Sequence, residues 1–171
     1  MKRWLPHLGI ALGICIAVYA LFFSGSEEDL IRERLDLLED SIHVSPQDSN
    51  VVFRMARIKK QFAEIFVKQV SFEIPELTNL TQNRRELVNL AANAPRLYST
   101  ADVDLGGLSI DIDSSKTSAV AYGEATLTAM RQSGNLERDV RTVSLRFDKV
   151  EGQWRVVSVS VSAKEGAEEV E

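Results

Sequence analysis

An uncharged apolar run near the N-terminus constrains this chain more than any other feature of its sequence. The run extends over Leu8–Phe23, and the basic residues Lys2 and Arg3 precede it. Residues 4–23, at about 1.5 Å per residue in a helix, match a hydrocarbon layer of roughly 30 Å. Because basic residues stay on the cytoplasmic side, the pattern predicts a single-pass anchor in a bacterial inner membrane. Its N-terminus then lies in the cytoplasm, and the rest of the chain is exported.

A cleaved signal peptide is the alternative interpretation of the same segment. Small residues suited to cleavage occur at Val18-Tyr19-Ala20 and at Ser24-Gly25-Ser26. Cleavage at the first site would leave Leu21-Phe22-Phe23 as an exposed end, and the apolar run is long for a signal peptide. The anchor is therefore favoured. Either interpretation separates residues 1–26 from an exported part, which is periplasmic or secreted if cleavage occurs.

The charge and the composition of the exported part exclude several functions. Lys2 and Arg3 are the only charged residues before residue 27, so the remainder holds 18 basic and 25 acidic residues, a net charge of −7. A nucleic-acid partner is excluded, because it would require a basic face. The lone cysteine, Cys15, lies in the apolar run, and His43 is the one histidine beyond it. We therefore expect no disulfide, no metal site rich in cysteine or histidine, and no cofactor.

Hydrophobic periodicity predicts three helices in the first half of the exported part. The first helix extends from Glu27 to about Val44, with an apolar stripe at three-to-five-residue spacing. Ser49 is the expected N-cap of the second helix. Asn83, followed by Glu86, has the form of a capping box and starts the third helix.

Two-residue alternation predicts strands elsewhere. The first strand covers Phe66–Ile74, and four more follow the third helix, with a bulge or bend at Gly106-Gly107 in the earliest of them. The predicted fold class is α+β, with three helices packed on a curved antiparallel sheet that forms a cone-shaped half-barrel. The four strands that follow the third helix are expected at residues 102–113, 117–130, 140–150 and 154–163.

The order of elements and several local sequences resemble the nuclear transport factor 2-like superfamily, whose members have a cystatin-like, cone-shaped α+β fold. The resemblance covers about Asp29 to Val161. It depends on Phe62-Ala63 before the first strand, on Arg84-Arg85-Glu86-Leu87, and on the closing hairpin Phe147–Val156. It implies a domain at residues 27–163, followed by an acidic disordered tail at residues 164–171. This fold carries enzymes, binding proteins and assembly subunits, so it does not by itself indicate an activity.

Three residues are the candidate ligand-binding positions. Tyr122 and Glu124 share one face of a predicted strand, and they contact a ligand if that face is turned into the cone. If it is turned outward, they are surface residues. Trp154 opens the last strand, where core or rim packing is the alternative role. Enzymes of the superfamily use an Asp or His base with Tyr or Asp donors, but His43 falls at a helix end, and no catalytic residue is predicted.

Aspartates at alternating positions do not predict a metal site. Asp102, Asp104, Asp111 and Asp113 alternate with apolar residues, which is typical of the solvated face of a strand. We therefore expect a non-enzymatic, membrane-anchored domain that binds a partner protein or forms a homo-oligomer at the cell envelope. The alternative is a pocket inside the cone that binds a small hydrophobic ligand or works as an isomerase or cyclase.

Overall fold

The computed structural model describes residues 25–47, 50–74 and 77–163. The predicted anchor, residues 4–23, and the predicted acidic tail, residues 164–171, lie outside the described residues. Within these ranges, every helix is too short or too polar to traverse a lipid bilayer.

Three helices form where the periodicity predicts them, and local capping explains where each begins. The first starts with a capping box, in which Ser26 Oγ accepts from the Asp29 amide and Asp29 Oδ2 accepts from the Ser26 amide. The N-cap of the second is Asn50, one residue after the predicted Ser49. The predicted capping box of Asn83 and Glu86 starts the third and is confirmed. The helices are α1 (Glu27–Ile42), α2 (Val51–Ile65) and α3 (Arg84–Asn93), and a 3₁₀ turn (Ala94–Arg96) follows α3.

In the described part of the chain, seven strands form one mixed sheet, in the order β2-β1-β7-β6-β5-β3, with β4 also paired to β5. The prediction of a purely antiparallel sheet was wrong, because β1 and β7 pair in parallel. A parallel pair requires a long crossover, and the whole chain between β1 and β7 provides it. The strands are β1 (Phe66–Ile74), β2 (Leu77–Asn83), β3 (Tyr98–Asp104), β4 (Ser109–Ile112), β5 (Ser118–Arg131), β6 (Leu136–Val150) and β7 (Gln153–Ala163).

The helices cover one face of this sheet and enclose a single apolar core, as predicted. Phe147 of β6 and Trp154 of β7 are 0% and 2% exposed, so both are buried. They pack among the apolar faces of α1 and α2, to which Ile31 and Ile58 contribute. The sheet therefore has an inner face that the helices cover and an opposite, outer face.

A bulge in β7 changes which of its residues face the core. Arg146 pairs with Ser158 and Phe147 pairs with Val156, so Val157 is an extra residue without a partner in β6. Val159 then alternates inward after the bulge, whereas Trp154 and Val156 are inward before it. A strict two-residue alternation would place Val157, Val159 and Val161 on one face, but the bulge shifts the period by one and interrupts this face at Val157.

Candidate ligand-binding cavity

An apolar cavity of about 280 Å³ lies between the three helices and the inner face of the sheet. Helices and strands contribute about equally to its wall. Leu90 of α3 lines the cavity and is also 67% exposed, so it marks where the cavity meets solvent. The other lining residues are Leu38, Ile42, Phe62, Phe66, Phe72, Leu87, Ala91, Val103, Leu105, Val143, Leu145 and Val159.

The helical part of the wall follows from residue spacing. Leu38 and Ile42 are four residues apart on α1, and Leu87 and Ala91 are four apart on α3, so each pair shares one side of its helix. Phe62 of α2 meets Phe66 edge to face, with ring centroids 5.0 Å apart and an interplanar angle of 76°. This contact fixes the aromatic part of the wall in one orientation.

The wall of this cavity consists of hydrocarbon side chains. All thirteen lining side chains are apolar, and none of them titrates. An engineered cavity of about 150 Å³ with similar walls stays dry and binds benzene, so the present volume suits an apolar group about twice that size. Nothing in the described wall would solvate a charge.

Glu39 is one of the carboxylates that lie next in the chain to this wall. It follows Leu38 on α1, and its Oε1 accepts a hydrogen bond from the backbone amide of Leu105. Burial raises the pKa of Glu39 above its ordinary value, and the nearby charges of Asp104, Asp36 and Asp102 add to the rise, whereas the Leu105 amide opposes it. The sequence pattern did not indicate this residue, because its position on the helix looks solvated until the end of β3 packs beside it.

Tyr122 and Glu124 do not line the cavity. Ala121 and Ala125 of the same strand are buried toward the core, so the intervening polar residues project to the outer face. Tyr122 is 51% exposed there, opposite Ser144 of β6, and Glu124 is exposed opposite Thr142. Of the two placements considered from the sequence, the structure has the outward one. A ligand role for either residue on that outer face stays a prediction.

Trp154 belongs to a polar clamp rather than to the cavity wall. Its Nε1 donates to Glu27 Oε2 over 2.8 Å, and Lys149 Nζ lies 2.7 Å from Glu27 Oε1 and 5.3 Å from the Trp154 ring centroid. The hydrogen bond from Lys149, followed by that from Trp154, lowers the pKa of Glu27. We call Glu27, Lys149 and Trp154 the clamp. It joins the first turn of α1 to the β6–β7 hairpin.

The remaining polar candidates also have structural roles. His43 lies at the end of α1, as predicted, where it is the C-cap, and its Nδ1 lies 3.1 Å from Asp102 Oδ1. In the β4–β5 turn, Asp113 accepts hydrogen bonds from the Ser115 hydroxyl and from the amides of Ser118 and Thr117, and these bonds lower its pKa to about 2. Among the described residues, no three His, Cys, Asp or Glu side chains come together in a metal-binding arrangement.

The cavity itself was not predictable from the sequence. Its lining residues look like ordinary core residues, because periodicity shows which side chains face inward but not whether they fill the space between them. The apolar stripes of α1 and α3 indicated which side chains face the interior. They did not indicate that a cavity remains between those side chains.

Comparison with known proteins supports the architecture. No protein-family model matches the chain, and no curated protein matches it in sequence. A nuclear transport factor 2-like superfamily protein from Salmonella enterica superposes with a TM-score of 0.62, covering 84% of this chain and 96% of the other, at 19% identity. The fold is NTF2-like. At this identity the likeness extends to the fold alone.

Other proteins with the NTF2-like fold differ widely in what their names describe. A hexachlorocyclohexane dehydrochlorinase, LinA type 2, has a TM-score of 0.59 at 11% identity, covering 80% of this chain and 84% of the other. The association domain of CaMKII from C. elegans has a TM-score of 0.55 at 15% identity, covering 80% and 94%. The fold therefore leaves both binding and catalysis open for this chain.

Proposed function

We propose that this chain is a non-enzymatic binding domain of the cell envelope, which holds an apolar ligand in its cavity and is attached to the inner membrane by residues 4–23. The observation that carries the proposal is the composition of the wall, because every lining side chain among the described residues is apolar. Such a site favours hydrocarbon groups and offers no donor or acceptor that would orient a polar substrate.

The absence of acid–base groups in the described wall favours binding over catalysis. General acid–base chemistry requires a titratable group within hydrogen-bond reach of the reacting atom. Glu39 accepts from the backbone of Leu105, whereas Tyr122 and Glu124 project from the outer face. A Glu124→Gln variant is therefore expected to keep function, and its loss in a stably folded protein would favour the isomerase or cyclase alternative.

The proposed anchor would hold this domain against the bilayer. Helix α1 begins at Glu27, and three peptide units separate Phe23 from Ser26, which span at most about 10 Å. Confinement at the surface raises the effective concentration of membrane-associated ligands.

If the anchor is retained, the protein remains with membranes after carbonate washing and keeps its N-terminus. A soluble product that starts near Leu21 or Glu27 would contradict it.

Ligand binding can be tested with naphthalene, an apolar probe without a head group. We expect saturable binding to the full chain in a mild non-ionic detergent, measured by calorimetry and by the rise in melting temperature. Ala91→Leu fills part of the cavity and should weaken binding on the order of tenfold, because displaced contacts are lost. Ala163→Leu, the same change at an exposed position of β7, should have no effect. Equal binding by both variants would contradict the proposal.

Assembly with a partner protein or with further copies is a second candidate function. The likeness to the CaMKII association domain supports it, since the name of that neighbour describes association. Assembly does not compete with ligand binding, because the cavity lies between the helices and the sheet and leaves the outer faces of both layers accessible.

A further inference from the structure

Helices α1 and α2 lie side by side and antiparallel on the outside of the molecule. Gln61 Nε2 donates to Asp40 Oδ2 over 3.2 Å, and Arg34 lies 3.9 Å from Glu64, so later residues of α1 are level with earlier residues of α2. The outward surface of this pair, which we call the helical face, therefore has two parallel stripes.

The two stripes of the helical face have opposite charge. Helix α1 contains seven acidic and two basic residues, and Glu33, Asp36 and Asp40 are exposed on it. Helix α2 contains four basic residues and one acidic residue. Arg54 is buried, and the other three, Arg57, Lys59 and Lys60, are exposed. The basic stripe is unusual in a chain whose net charge is −5.

The basic stripe also contains exposed apolar side chains. Val52 and Phe53, in the first turn of α2, are 77% and 76% exposed, and the exposed Ala56 lies one turn further on. Their spacing places them on the same side of α2 as Lys60. Large apolar side chains next to one another on a surface are typical of an interaction site.

We propose that the helical face is the contact between two copies of this chain. A twofold axis parallel to the helices places α1 of one copy on α2 of the other, which sets Lys59 and Lys60 against Asp36 and Asp40 of the second copy. Symmetry repeats the contact, so each copy contributes both charges. A twofold axis across the helices would instead place like charges together.

A second copy fits this surface better than an anionic bilayer does. A lipid surface would attract the α2 stripe but repel the adjacent α1 stripe, which holds Glu33, Asp36 and Asp40. The helical face is complementary to itself, and opposite charges across an interface specify which surfaces meet. This inference specifies the second candidate function and does not depend on ligand binding in the cavity.

Charge reversal provides the test. The full chain in non-ionic detergent is examined by sedimentation, with anionic and neutral phospholipid vesicles as a separate binding assay. We expect the parent to form dimers that dissociate at high salt. The double variant Lys59→Glu/Lys60→Glu should be monomeric. The double variant Asp36→Lys/Asp40→Lys should also be monomeric. An equimolar mixture of the two variants should form mixed dimers, because both contacts then join opposite charges.

A matched control and the mixture keep the test independent of folding. Reversal of two charges elsewhere, Lys68→Glu with Arg138→Glu, should leave the dimer intact. Failure of the mixture to restore dimers would overturn the proposed surface. A parent dimer unaffected by the helical variants but dissociated by Tyr122→Arg would place assembly on the outer face of the sheet. A monomeric parent would overturn assembly itself, and preferential binding of that monomer to anionic vesicles would identify the lipid as the occupant.

Discussion

A single carboxylate connects the start of the folded part to its last hairpin. Glu27 receives hydrogen bonds from Lys149 and from the indole of Trp154, residues more than a hundred positions away. Its side chain and that of Lys149 are both about three-quarters covered, so solvent screens the clamp only partly. Hydrogen bonds to a charged group in such surroundings stabilise more than those between neutral groups.

Glu27→Gln should therefore lower the free energy of unfolding by about 1–2 kcal/mol at neutral pH. Folding lowers the pKa of Glu27, so its stabilisation is present above the ordinary value of 4.5 and is lost as pH falls through the lowered value. Urea unfolding of both proteins should thus converge in acid. The control is Glu28→Gln, in the same helical turn, which removes an exposed ion pair with Arg32. It should lower the free energy of unfolding by less than Glu27→Gln does.

Glu39→Gln is expected to act in the opposite direction. Burial raises the pKa of Glu39, so its charged form costs stability, and this cost appears as pH rises through the raised value. Glutamine retains an oxygen for the Leu105 amide. The variant should melt at a higher temperature than the parent at pH 7, with the difference disappearing below pH 4.5. A lower melting temperature at pH 7 would contradict this account. Glu33→Gln serves as an exposed control.

At the scale of elements, β5 depends on one glycine. Gly123 has φ +150°, and a Cβ at this position would lie 3.2 Å from Leu108 Cδ2. Both the backbone conformation and the close approach of Leu108 oppose a side chain there.

Gly123→Ala should destabilise the protein by about 1–3 kcal/mol, as expected for strained backbone. Gly107→Ala is the matched control, because a Cβ there would meet nothing within 4 Å. Chemical unfolding measures both. Equal losses would show that the cost arises from glycine replacement in general rather than from the conformation of β5.

Local sequence predicted the elements that depend on local physics. The Asn83 capping box and the alternation of Phe66–Ile74 are both present in the structure. Strand β2 was missed, because Leu77–Asn83 is mostly polar and does not alternate, and its strand conformation depends on pairing with β1. Residues 102–113 were expected as one strand, but a turn at Gly106-Gly107 separates β3 from β4.

The candidate site was less predictable than the fold. Alternation placed Tyr122 and Glu124 on one face of β5 but could not say which face meets the helices. Of the two roles considered for Trp154, packing in the core is the one observed, because the bulge in β7 turns this residue inward. The cavity and the contact of Glu39 with Leu105 both arise from long-range packing, which no local pattern records.

At the scale of the whole molecule, β7 holds the sheet together. It lies between β1 and β6, pairs with both, and carries the buried Trp154 and Val156. We expect that removing residues 153–171 abolishes folding, because the sheet loses a central strand and the core loses an indole. Removing residues 164–171 alone should leave the melting temperature unchanged. Circular dichroism of the two truncated proteins distinguishes these outcomes, and a cooperative transition in the shorter one would contradict the first.

The parallel pairing of β1 with β7 also determines when the chain can fold during its synthesis. Phe72 of β1 pairs with Val159 of β7. This pairing can therefore form only after almost the whole chain has been synthesised. A ribosome must therefore release the final strand before the sheet can close. Until then β1 and β6 lack the strand that joins them, and the apolar side chains that β7 would cover stay accessible to a protease or to a holding chaperone.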